Sequence, residues 1–463
     1  MTLKISNTLT GKKEEFIPQK EKEVSLYVCG VTPYDEVHLG HARAYVTFDI
    51  VKRHLQNRGY KVLHVQNFTD IDDKIIKRAA EKGVSPSSLA QTYIDDYFFQ
   101  TDKLNILRAK KYPKVTEMMP EIVSFIQTLV AKGFAYIVDG DVYYSVNKFE
   151  EYGKLSKRNL DDLKAGARVE VCEEKNSAFD FALWKKTKEG EPEDASWNSP
   201  WGKGRPGWHI ECSVMSSNIL GDTIDIHGGG QDLIFPHHEN EIAQSEACTG
   251  KQFVKYWIHN GFVTVNKEKM SKSLNNFFTL KSIFEKYDPR VVRYYLMTQH
   301  YKSPLDFSDD GLDAAKNTLQ GLDDAYLRLS ATAKQYAEVK DSDLLEIKNN
   351  FLNALDDDFN SEKALASLHE LKNLILKELF TADVIRLWQS KTLFEDLVES
   401  SLGIKLPQQQ NNDNDMQNLL KARNEARKAK NWTEADKLRK EIDEKGYKIV
   451  DNPDGTSVLT RKI

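Results

Sequence analysis

A strand–helix–strand pattern between residues 24 and 68 places the strongest constraint on the fold of this chain. The run VSLYVCGV at 24–31 is short, apolar and β-branched, which predicts a buried strand. Apolar residues then recur at helical spacing from about 38 to 58, and Gly59 can end this helix. The run KVLHVQ at 61–66 predicts a second strand. Because two strands joined by one long helix are usually parallel, we expect an α/β domain with a parallel sheet, although periodicity alone does not say which α/β fold it is.

The rest of the chain divides into regions of different character. Residues 136–206 predict a loop-rich insertion with one strand at Tyr143–Val146. From about residue 310 the pattern becomes helical, and one predicted helix spaces its apolar residues by three or four: Leu344, Ile347, Phe351, Leu355 and Phe359. Asn360 can cap the helix that follows. The polar, low-complexity residues at 407–415 predict a linker.

Composition excludes several classes of protein. The 463 residues carry a net charge of −5, and no stretch approaches the ~18 apolar residues of a membrane span. The N-terminal residues lack the features of a secretory signal. The cysteines Cys29, Cys172, Cys212 and Cys248 lie far apart, so a disulfide scaffold is not expected. We therefore expect a cytoplasmic protein with no membrane partner.

Two histidines stand where the first predicted helix begins. His38 and His41, in the run HLGH, are three residues apart and share a helical face. A helix N-terminus offers unpaired N–H groups and a positive dipole end to phosphate, and Gly40 lets a nucleotide approach the backbone. Each imidazole could also donate a hydrogen bond to a phosphoryl oxygen. Taken alone, two histidines in a first helical turn are more often structural or solvent-facing.

The run KMSKS at 269–273 is a second candidate phosphate-binding segment, and it follows the strand-like run GFVTV at 261–265. Its lysines, Lys269 and Lys272, and its two hydroxyls could bind a triphosphate and neutralise charge as pyrophosphate leaves. In isolation, however, the segment is merely a polar loop.

Together, HLGH and KMSKS resemble the two signatures of the class I aminoacyl-tRNA synthetases in order, spacing and strand–helix context. Four more runs resemble the cysteinyl-tRNA synthetase family: YVCGVTPYD at 27–35, NFTDIDDK at 67–74, GWHIECS at 207–213 and DIHGGGQDLIFPHHENE at 225–241. The resemblance covers essentially the whole chain. It implies an enzyme that activates L-cysteine with ATP and transfers it from cysteinyl-adenylate to the 3′ end of tRNA(Cys).

The resemblance also implies a domain organisation. A Rossmann-like parallel-sheet catalytic domain would occupy residues 1–310, with an insertion at about 110–206. An α-helical bundle on the anticodon side would occupy 311–406. A small C-terminal anticodon-recognition domain at 416–463 would follow the linker at 407–415.

A Zn²⁺ site is implied by the same resemblance, with the ligands Cys29, Cys212, His237 and Glu241. Two thiolates, an imidazole and a carboxylate suit zinc, and His237 and Glu241 share a face if they lie on one helix. His238 competes with His237, and only the family match and the i, i+4 partner rank the two. Cys172 and Cys248 match no ligand position, and we interpret them as buried or unremarkable thiols.

The substrate-binding residues follow from the same match. ATP is expected to contact His38, Gly40, His41, Gly229, Asp232 and Lys272. Lys269 supports Lys272 at the leaving pyrophosphate, and Mg²⁺ is held by the phosphates of ATP. A plain glycine turn at 228–230 is an equal alternative to a nucleotide site. Trp208 and His227 match the family's amino-acid pocket, although either could be a core residue.

The C-terminal residues 416–463 hold 12 Lys and Arg against 8 Asp and Glu, whereas the rest of the chain is net negative. Alternating charge on a helix is usually a solvated face, but an aromatic ring in a basic patch suits base stacking and phosphate contact. The resemblance makes Arg427, Trp432 and Asp436 candidate contacts with tRNA bases. We expect the protein to be a monomer.

Three other functions compete with this interpretation. A ligase that passes cysteine to a small amine would not need the helical region and the basic tail. A catalytically inactive RNA-binding homologue would be expected to lose HLGH, KMSKS or a metal ligand. A structural zinc protein would usually show paired cysteines and no phosphate-binding segments. Cysteine-dependent exchange of pyrophosphate into ATP, followed by charging of tRNA, separates these functions.

Overall fold

The computed structural model describes residues 2–158, 175–265, 268–269, 278–407, 414–451 and 457–461. In residues 2–307 the strands are β1 (Lys4–Asn7), β2 (Lys12–Glu15), β3 (Glu23–Val31), β4 (Lys61–Phe68), β5 (Ala135–Val138), β6 (Asp141–Tyr144), β7 (Phe181–Lys186), β8 (Gly204–Pro206), β9 (Ile224–Gly230), β10 (Val254–Asn260), β11 (Val263–Val265), β12 (Glu268–Lys269) and β13 (Leu305–Phe307). The helices there are α1 (Leu39–Asn57), α2 (Asp73–Lys82), α3 (Pro86–Lys103), α4 (Met119–Ala131), α5 (Trp208–Leu220), α6 (Glu239–Thr249), α7 (Leu280–Phe284) and α8 (Pro289–Leu296).

The remaining elements are mostly helical. They are α9 (Asp309–Thr332), α10 (Ser342–Asp356), α11 (Ser361–Glu378), α12 (Val384–Glu395), α13 (Asn414–Lys428), α14 (Trp432–Glu444), β14 (Tyr447–Asp451) and β15 (Ser457–Arg461). A π-helical segment, Asp396–Ser401, continues from α12. Among the described helices, none combines the length and apolarity that crossing a bilayer requires.

A four-stranded parallel sheet forms the centre of the molecule, with the strand order β10–β9–β3–β4. Strand β3 lies between β9 and β4, and α1 connects β3 to β4. The predicted strand–helix–strand unit and its parallel pairing are therefore confirmed. Leu26 and Val28 face a hydrophobic cluster shared with α1 and the helical region, whereas Tyr27 and Cys29 face a second cluster beneath the insertion.

The insertion contains more β structure than the sequence predicts. Strands β5, β6, β7 and β8 form an antiparallel sheet, and the side chain of Trp184 in this sheet is fully buried. Only the strand near Tyr143 is anticipated, and β6 ends at Tyr144. Strands of three to six residues give too little alternation to be recognised from sequence, and β7 and β8 also carry Lys or Gly.

The helical region begins at Asp309, close to the expected position, but one predicted helix ends early. Helix α10 stops at Asp356, and the expectation that it continues to Phe359 is wrong. Asp358 and Phe359 both have positive φ, and the Asp358 carboxylate accepts hydrogen bonds from the Ser6 backbone N–H and the Tyr301 hydroxyl. These contacts turn the chain, while Phe359 remains buried and so keeps the apolar spacing.

Asn360 caps α11 as predicted, because its side chain accepts a hydrogen bond from the Lys363 N–H at 3.0 Å. Further along, α13 begins at Asn414, so it includes the last two residues of the predicted linker. Residues 408–413 of that linker lie outside the described residues. Helices α13 and α14 pack against the β14–β15 hairpin through a small cluster that includes Met416, Leu420 and Ile442.

Acid should weaken the fold through His64 on β4. Its ring is buried without a hydrogen-bond partner among the described residues, and burial together with Lys52 lowers the pKa of His64 to about 3 from 6.5. The unfolded chain therefore binds more protons below pH 6.5, so stability is lost as the pH falls from 6.5 towards 3. At pH 5 this loss amounts to about 2 kcal/mol at 1.36 kcal/mol per pH unit.

Denaturant unfolding of the wild type and of His64→Leu at pH 7 and pH 5 measures this contribution. The variant should lose about 2 kcal/mol less than the wild type between the two pH values. Equal losses in both proteins would contradict the assignment.

Candidate active site and metal centre

Four potential metal ligands converge beside the carboxyl ends of the parallel strands, where α/β sheets usually bind ligands. Cys29 lies near the end of β3, and Cys212 lies in the second turn of α5. His237 lies in the π-helical turn before α6, and Glu241 lies in the first turn of α6. Their ligand atoms all lie within 4.8 Å of one another, and all four residues are buried. The structure thus brings together the four residues that the sequence predicts as ligands.

The distances within this cluster suit a shared cation. The two sulfurs, Cys29 Sγ and Cys212 Sγ, are 3.8 Å apart, and Cys29 Sγ lies 3.7 Å from Glu241 Oε1. His237 Nε2 lies 3.0 Å from the same Glu241 oxygen. Two sulfurs, one nitrogen and one oxygen make a borderline-soft donor set of the kind that binds zinc-like ions.

Cys29 reaches the cluster because β3 is irregular at its end. The pairing of β3 with β4 shifts register between Val28 and Val31, which redirects the side chains there. Gly30 is required at this point, since a Cβ would lie 1.6 Å from the backbone oxygen of Asn67. The Asn67 side chain accepts the Gly30 N–H at 2.8 Å and also lies 3.8 Å from Cys212 Sγ.

The electrostatics of the cluster favour a positive charge at its centre. A hydrogen bond with Cys29 lowers the pKa of Cys212 to about 6 against the effect of burial. Burial opposes the charge of Glu241, but His227 and His237 lower its pKa to about 2. Burial likewise opposes protonation of His237, but Glu241 and Cys212 raise its pKa to about 10. Two buried anions therefore attract a cation, and a metal ion would compete with a proton for the imidazole.

A second donor set shares two of these residues. Cys29, His227, His238 and Glu241 also have ligand atoms within 4.8 Å of one another. This set contains one sulfur instead of two, and both of its imidazoles, His227 and His238, pack against the fully buried ring of Trp257. The set with Cys212 and His237 is also nearer the surface, because Trp208, 39 % exposed, stacks on His237 at 4.1 Å. We therefore favour the set with two sulfurs.

The two predicted pocket residues lie in different surroundings. Trp208 begins α5 and covers His237 from the solvent side, where a ring could close over a substrate. His227, by contrast, is fully buried between Tyr27 and Trp257, and its Nε2 contacts Glu241. This contact orients Glu241, and a role of His227 in the amino-acid pocket stays a prediction.

Contacts behind the cluster bring in His209, His259 and Thr8, which escaped the sequence interpretation, and His238, which it named only as a competitor of His237. His209 Nδ1 lies 3.0 Å from His237 Nδ1, so the two rings fix each other's orientation. His238 Nε2 lies 3.2 Å from Cys29 Sγ, and its other nitrogen continues through His259 to the Thr8 hydroxyl. The sequence could have predicted His209 near the cluster, because it lies three residues before Cys212 and so shares a helical face with it. No signal links Thr8 or His259 to the cluster, because their contacts are long-range.

The HLGH turn is arranged differently from the expectation. His38 is the N-cap of α1, and its Nδ1 accepts the N–H groups of Gly40 (3.1 Å) and His41 (3.4 Å). These two N–H groups already donate to the cap, so the expectation that they are unpaired and available to a phosphate is wrong. The His38 N–H in turn donates to His41 Nδ1 at 3.4 Å. Because both Nδ1 atoms accept, each neutral imidazole carries its proton on Nε2 and can donate from there.

The KMSKS segment is only partly described. Lys269 lies in β12, which pairs with β11, whereas Lys272 lies outside the described residues. The chain that follows the segment is joined to the HLGH turn by two backbone hydrogen bonds, from Leu39 N–H to Phe278 (3.1 Å) and from Leu280 N–H to Val37 (2.8 Å). The two motifs therefore lie at one end of the domain that contains the parallel sheet.

Each of the three glycines at 228–230 lies where a side chain would meet a different neighbour. A Cβ on Gly228 would lie 2.1 Å from the Phe48 ring, so this glycine allows β9 to pack against α1. A Cβ on Gly229 would lie 2.8 Å from Leu233, and one on Gly230 would lie 2.4 Å from the Asp232 carboxylate. Close packing thus explains Gly228, whereas Gly230 and Asp232 share one turn at the end of β9.

Two of the three predicted tRNA contacts are exposed. Trp432 is 59 % exposed at the start of α14, and Asp436 is exposed one turn later. Arg427 is half-buried and forms a 2.9 Å ion pair with Asp451, which also pairs with Arg423. Arg427 therefore has a role within the tail itself.

Family models match most of this chain. The model described as "tRNA synthetases class I (C) catalytic domain" matches residues 15–317, and a DALR domain model matches residues 350–406. In fold, the chain resembles methionyl-tRNA synthetase of Mycobacterium tuberculosis bound by methionyl-adenylate (TM-score 0.59, 15 % identity, 82 % of this chain and 92 % of that chain). It also resembles an Agrobacterium radiobacter LeuRS ternary complex (TM-score 0.59, 13 % identity, 84 % of each chain). The fold and the family model together define a class I aminoacyl-tRNA synthetase.

Full-length relatives specify the branch of this class. A model described as "Cysteinyl-tRNA ligase anticodon binding domain" matches residues 413–458. The chain is 71 % identical over 465 residues to the cysteine–tRNA ligase of Endomicrobium trichonymphae, covering 100 % of both proteins. It is 47 % identical to that of Geobacillus thermodenitrificans over 98 % of both. The chain belongs to the cysteinyl-tRNA synthetase family and is an aminoacyl-tRNA ligase.

The choice between the two donor sets can be tested by metal content. Cys212→Ser should lose the bound metal, whereas Cys248→Ser, which changes a thiol outside the cluster, should keep it. His227→Asn should keep one metal per chain but bind it about 10–100-fold more weakly, as expected when a residue that orients a ligand is replaced. Elemental analysis and chelator competition with Zn²⁺ as the probe ion give these values. Retention of the metal in Cys212→Ser together with its loss in His227→Asn would favour the set with one sulfur.

Proposed function

We propose that this ligase activates L-cysteine with ATP, transfers it to tRNA(Cys), and selects it through a zinc ion held by Cys29, Cys212, His237 and Glu241. The observation that carries the proposal is the gathering of these four donors at the end of the sheet, beside the Trp208 ring. Family membership supports the substrates, and the donor chemistry supports zinc over a harder ion.

Selection by a thiol addresses a specific difficulty. Cysteine and serine differ only by sulfur for oxygen, and shape alone separates such small differences by about 10–200-fold. When bound, zinc would prefer the substrate thiolate over a hydroxyl and lower the pKa of the thiol. The protein's part is to hold the donors rigidly: His209 orients His237, and His227 orients Glu241.

The phosphate side of the site is assigned to the two signature motifs. In the first step the cysteine carboxylate attacks the α-phosphorus of ATP, and pyrophosphate leaves. His38 and His41 would donate from Nε2 to the phosphates, because their Nδ1 atoms are occupied by the helix cap. Lys269 and Lys272 would neutralise the leaving pyrophosphate, and Mg²⁺ would be held by the phosphates themselves. Gly40, Gly229 and Asp232 are assigned to the nucleoside part of ATP.

In the second step a hydroxyl of the terminal adenosine of tRNA attacks the activated carbonyl, and AMP leaves. Residues 311–406 and 416–463 are proposed as the anticodon-side and anticodon-recognition domains, after a catalytic domain at 1–310. The tail contacts the helical region through an ion pair between Lys448 and Asp324. The proposal includes a monomeric, cytoplasmic enzyme.

The exchange of pyrophosphate into ATP tests the proposed substrate. L-Cysteine should support exchange, and L-serine should be disfavoured by more than the ~200-fold that shape can supply. Charging of tRNA(Cys) should then follow. Comparable exchange with the two amino acids, or none with cysteine, would contradict the proposal.

The tail should act in tRNA binding and not in adenylate formation. Trp432→Ala removes an exposed ring, and loss of one base stack typically costs ~1–3 kcal/mol. The KM for tRNA should therefore rise about tenfold while exchange is unchanged. Phe99→Ala is the matched control, because this ring on α3 is also exposed but lies outside both the tail and the helical region. A similar KM for Trp432→Ala and the wild type would contradict the assignment.

A further inference from the structure

The C-terminal end of helix α1, which is the end far from the HLGH turn, is held by residues of the helical region. Asp356, the last residue of α10, is buried, and its Oδ1 lies 2.9 Å from His54 Nε2 and 2.9 Å from Arg58 Nε. The second oxygen of Asp356 pairs with Arg58 Nη2. One carboxylate of the helical region thus joins two residues at the C-terminal end of α1.

A second set of contacts from the same region holds a neighbouring face of α1. Arg53 donates to the carbonyls of Glu399 and Ser400, each at 3.2 Å. Asn57 donates to the Ser401 hydroxyl at 2.8 Å. Both contacts involve residues inside the stretch that matches the DALR domain, 350–406.

The residues next to Asp356 attach the same corner to other parts of the catalytic domain. Asp357 pairs with Lys13 of the N-terminal hairpin at 2.6 Å. Asp358 accepts hydrogen bonds from Ser6 and Tyr301. The corner after α10 is therefore fixed to the catalytic domain on several sides, and its carboxylates have protein partners.

The near end of α1 carries the HLGH turn. The helix has 19 residues, so its ends are about 28 Å apart at 1.5 Å per residue. It is buried along most of its length, so a shift at one end is transmitted as a movement of the whole element. His38 and His41 would move with it, because they form its cap.

We propose that α1 transmits the seating of tRNA on the helical region to the ATP-binding histidines, and that Asp356 is the positioning residue at its far end. This inference rests on the proposed function, which supplies the tRNA and the ATP. Coupling between two ligands is reciprocal: tRNA should tighten ATP binding, and ATP should tighten tRNA binding by the same factor.

The experiment measures ATP affinity with and without tRNA(Cys) that ends in 3′-deoxyadenosine and cannot be charged. In the wild type this tRNA should lower the dissociation constant of ATP at least threefold. In Asp356→Asn, which keeps the shape but removes the charge, the shift should fall to less than 1.5-fold. Cysteine-dependent exchange without tRNA should stay within twofold of the wild type. Arg58→Gln, at a more exposed partner, should reproduce the loss of coupling if Asp356→Asn folds poorly.

Asp323→Asn is the matched control. This buried carboxylate also joins the helical region to the catalytic domain, through Arg290 on α8 at 2.5 and 3.0 Å, but it pairs with no residue of α1. It should keep the wild-type shift. Absence of a shift in the wild type, an intact shift in both Asp356→Asn and Arg58→Gln, or equal loss in Asp323→Asn would overturn the proposal. Failure of the proposed function itself would appear separately, as absence of cysteine-dependent exchange in the wild type.

Discussion

The structure depends on the burial of two thiols, an imidazole and a carboxylate in one cluster. Burying the negative charge of Glu241 and Cys212 is costly unless a cation compensates for it. A protonated His237 can supply part of that compensation, and a metal ion can replace the proton. The irregular end of β3 and the converging helices α5 and α6 are the means by which the fold holds these four groups together.

The same end of the catalytic domain also carries the HLGH turn, which is proposed to bind the phosphates of ATP. His38 Nδ1 accepts the hydrogen bonds that cap α1, so the neutral ring carries its proton on Nε2, the nitrogen proposed to face a ligand. A side chain that stabilises the helix therefore also prepares the site, and the two roles cannot be separated by mutation of His38 alone. Two histidines beside the metal cluster have a similar role. His209 restricts the orientation of His237, and His227 restricts that of Glu241, without being ligands themselves in the favoured set.

Prediction from sequence succeeded where local patterns decide the structure. The parallel strand–helix–strand unit follows from periodicity, and Asn360 caps its helix as its residue type suggests. The four candidate metal ligands came from a family resemblance, since spacing alone says little about residues 29, 212, 237 and 241. Features set by distant partners were missed: Phe359 leaves its helix because Asp358 bonds to Ser6 and Tyr301, and Gly30 is required by Asn67. Short strands of the insertion gave no recognisable period.

The central claim is that the substrate is recognised through its own sulfur. X-ray absorption at the zinc edge, on zinc-loaded enzyme, counts sulfur ligands directly. The account predicts two sulfurs, from Cys29 and Cys212, in the enzyme alone. Addition of L-cysteine should raise the count to three, and L-serine should leave it unchanged. A count that stays at two with saturating cysteine would contradict the account.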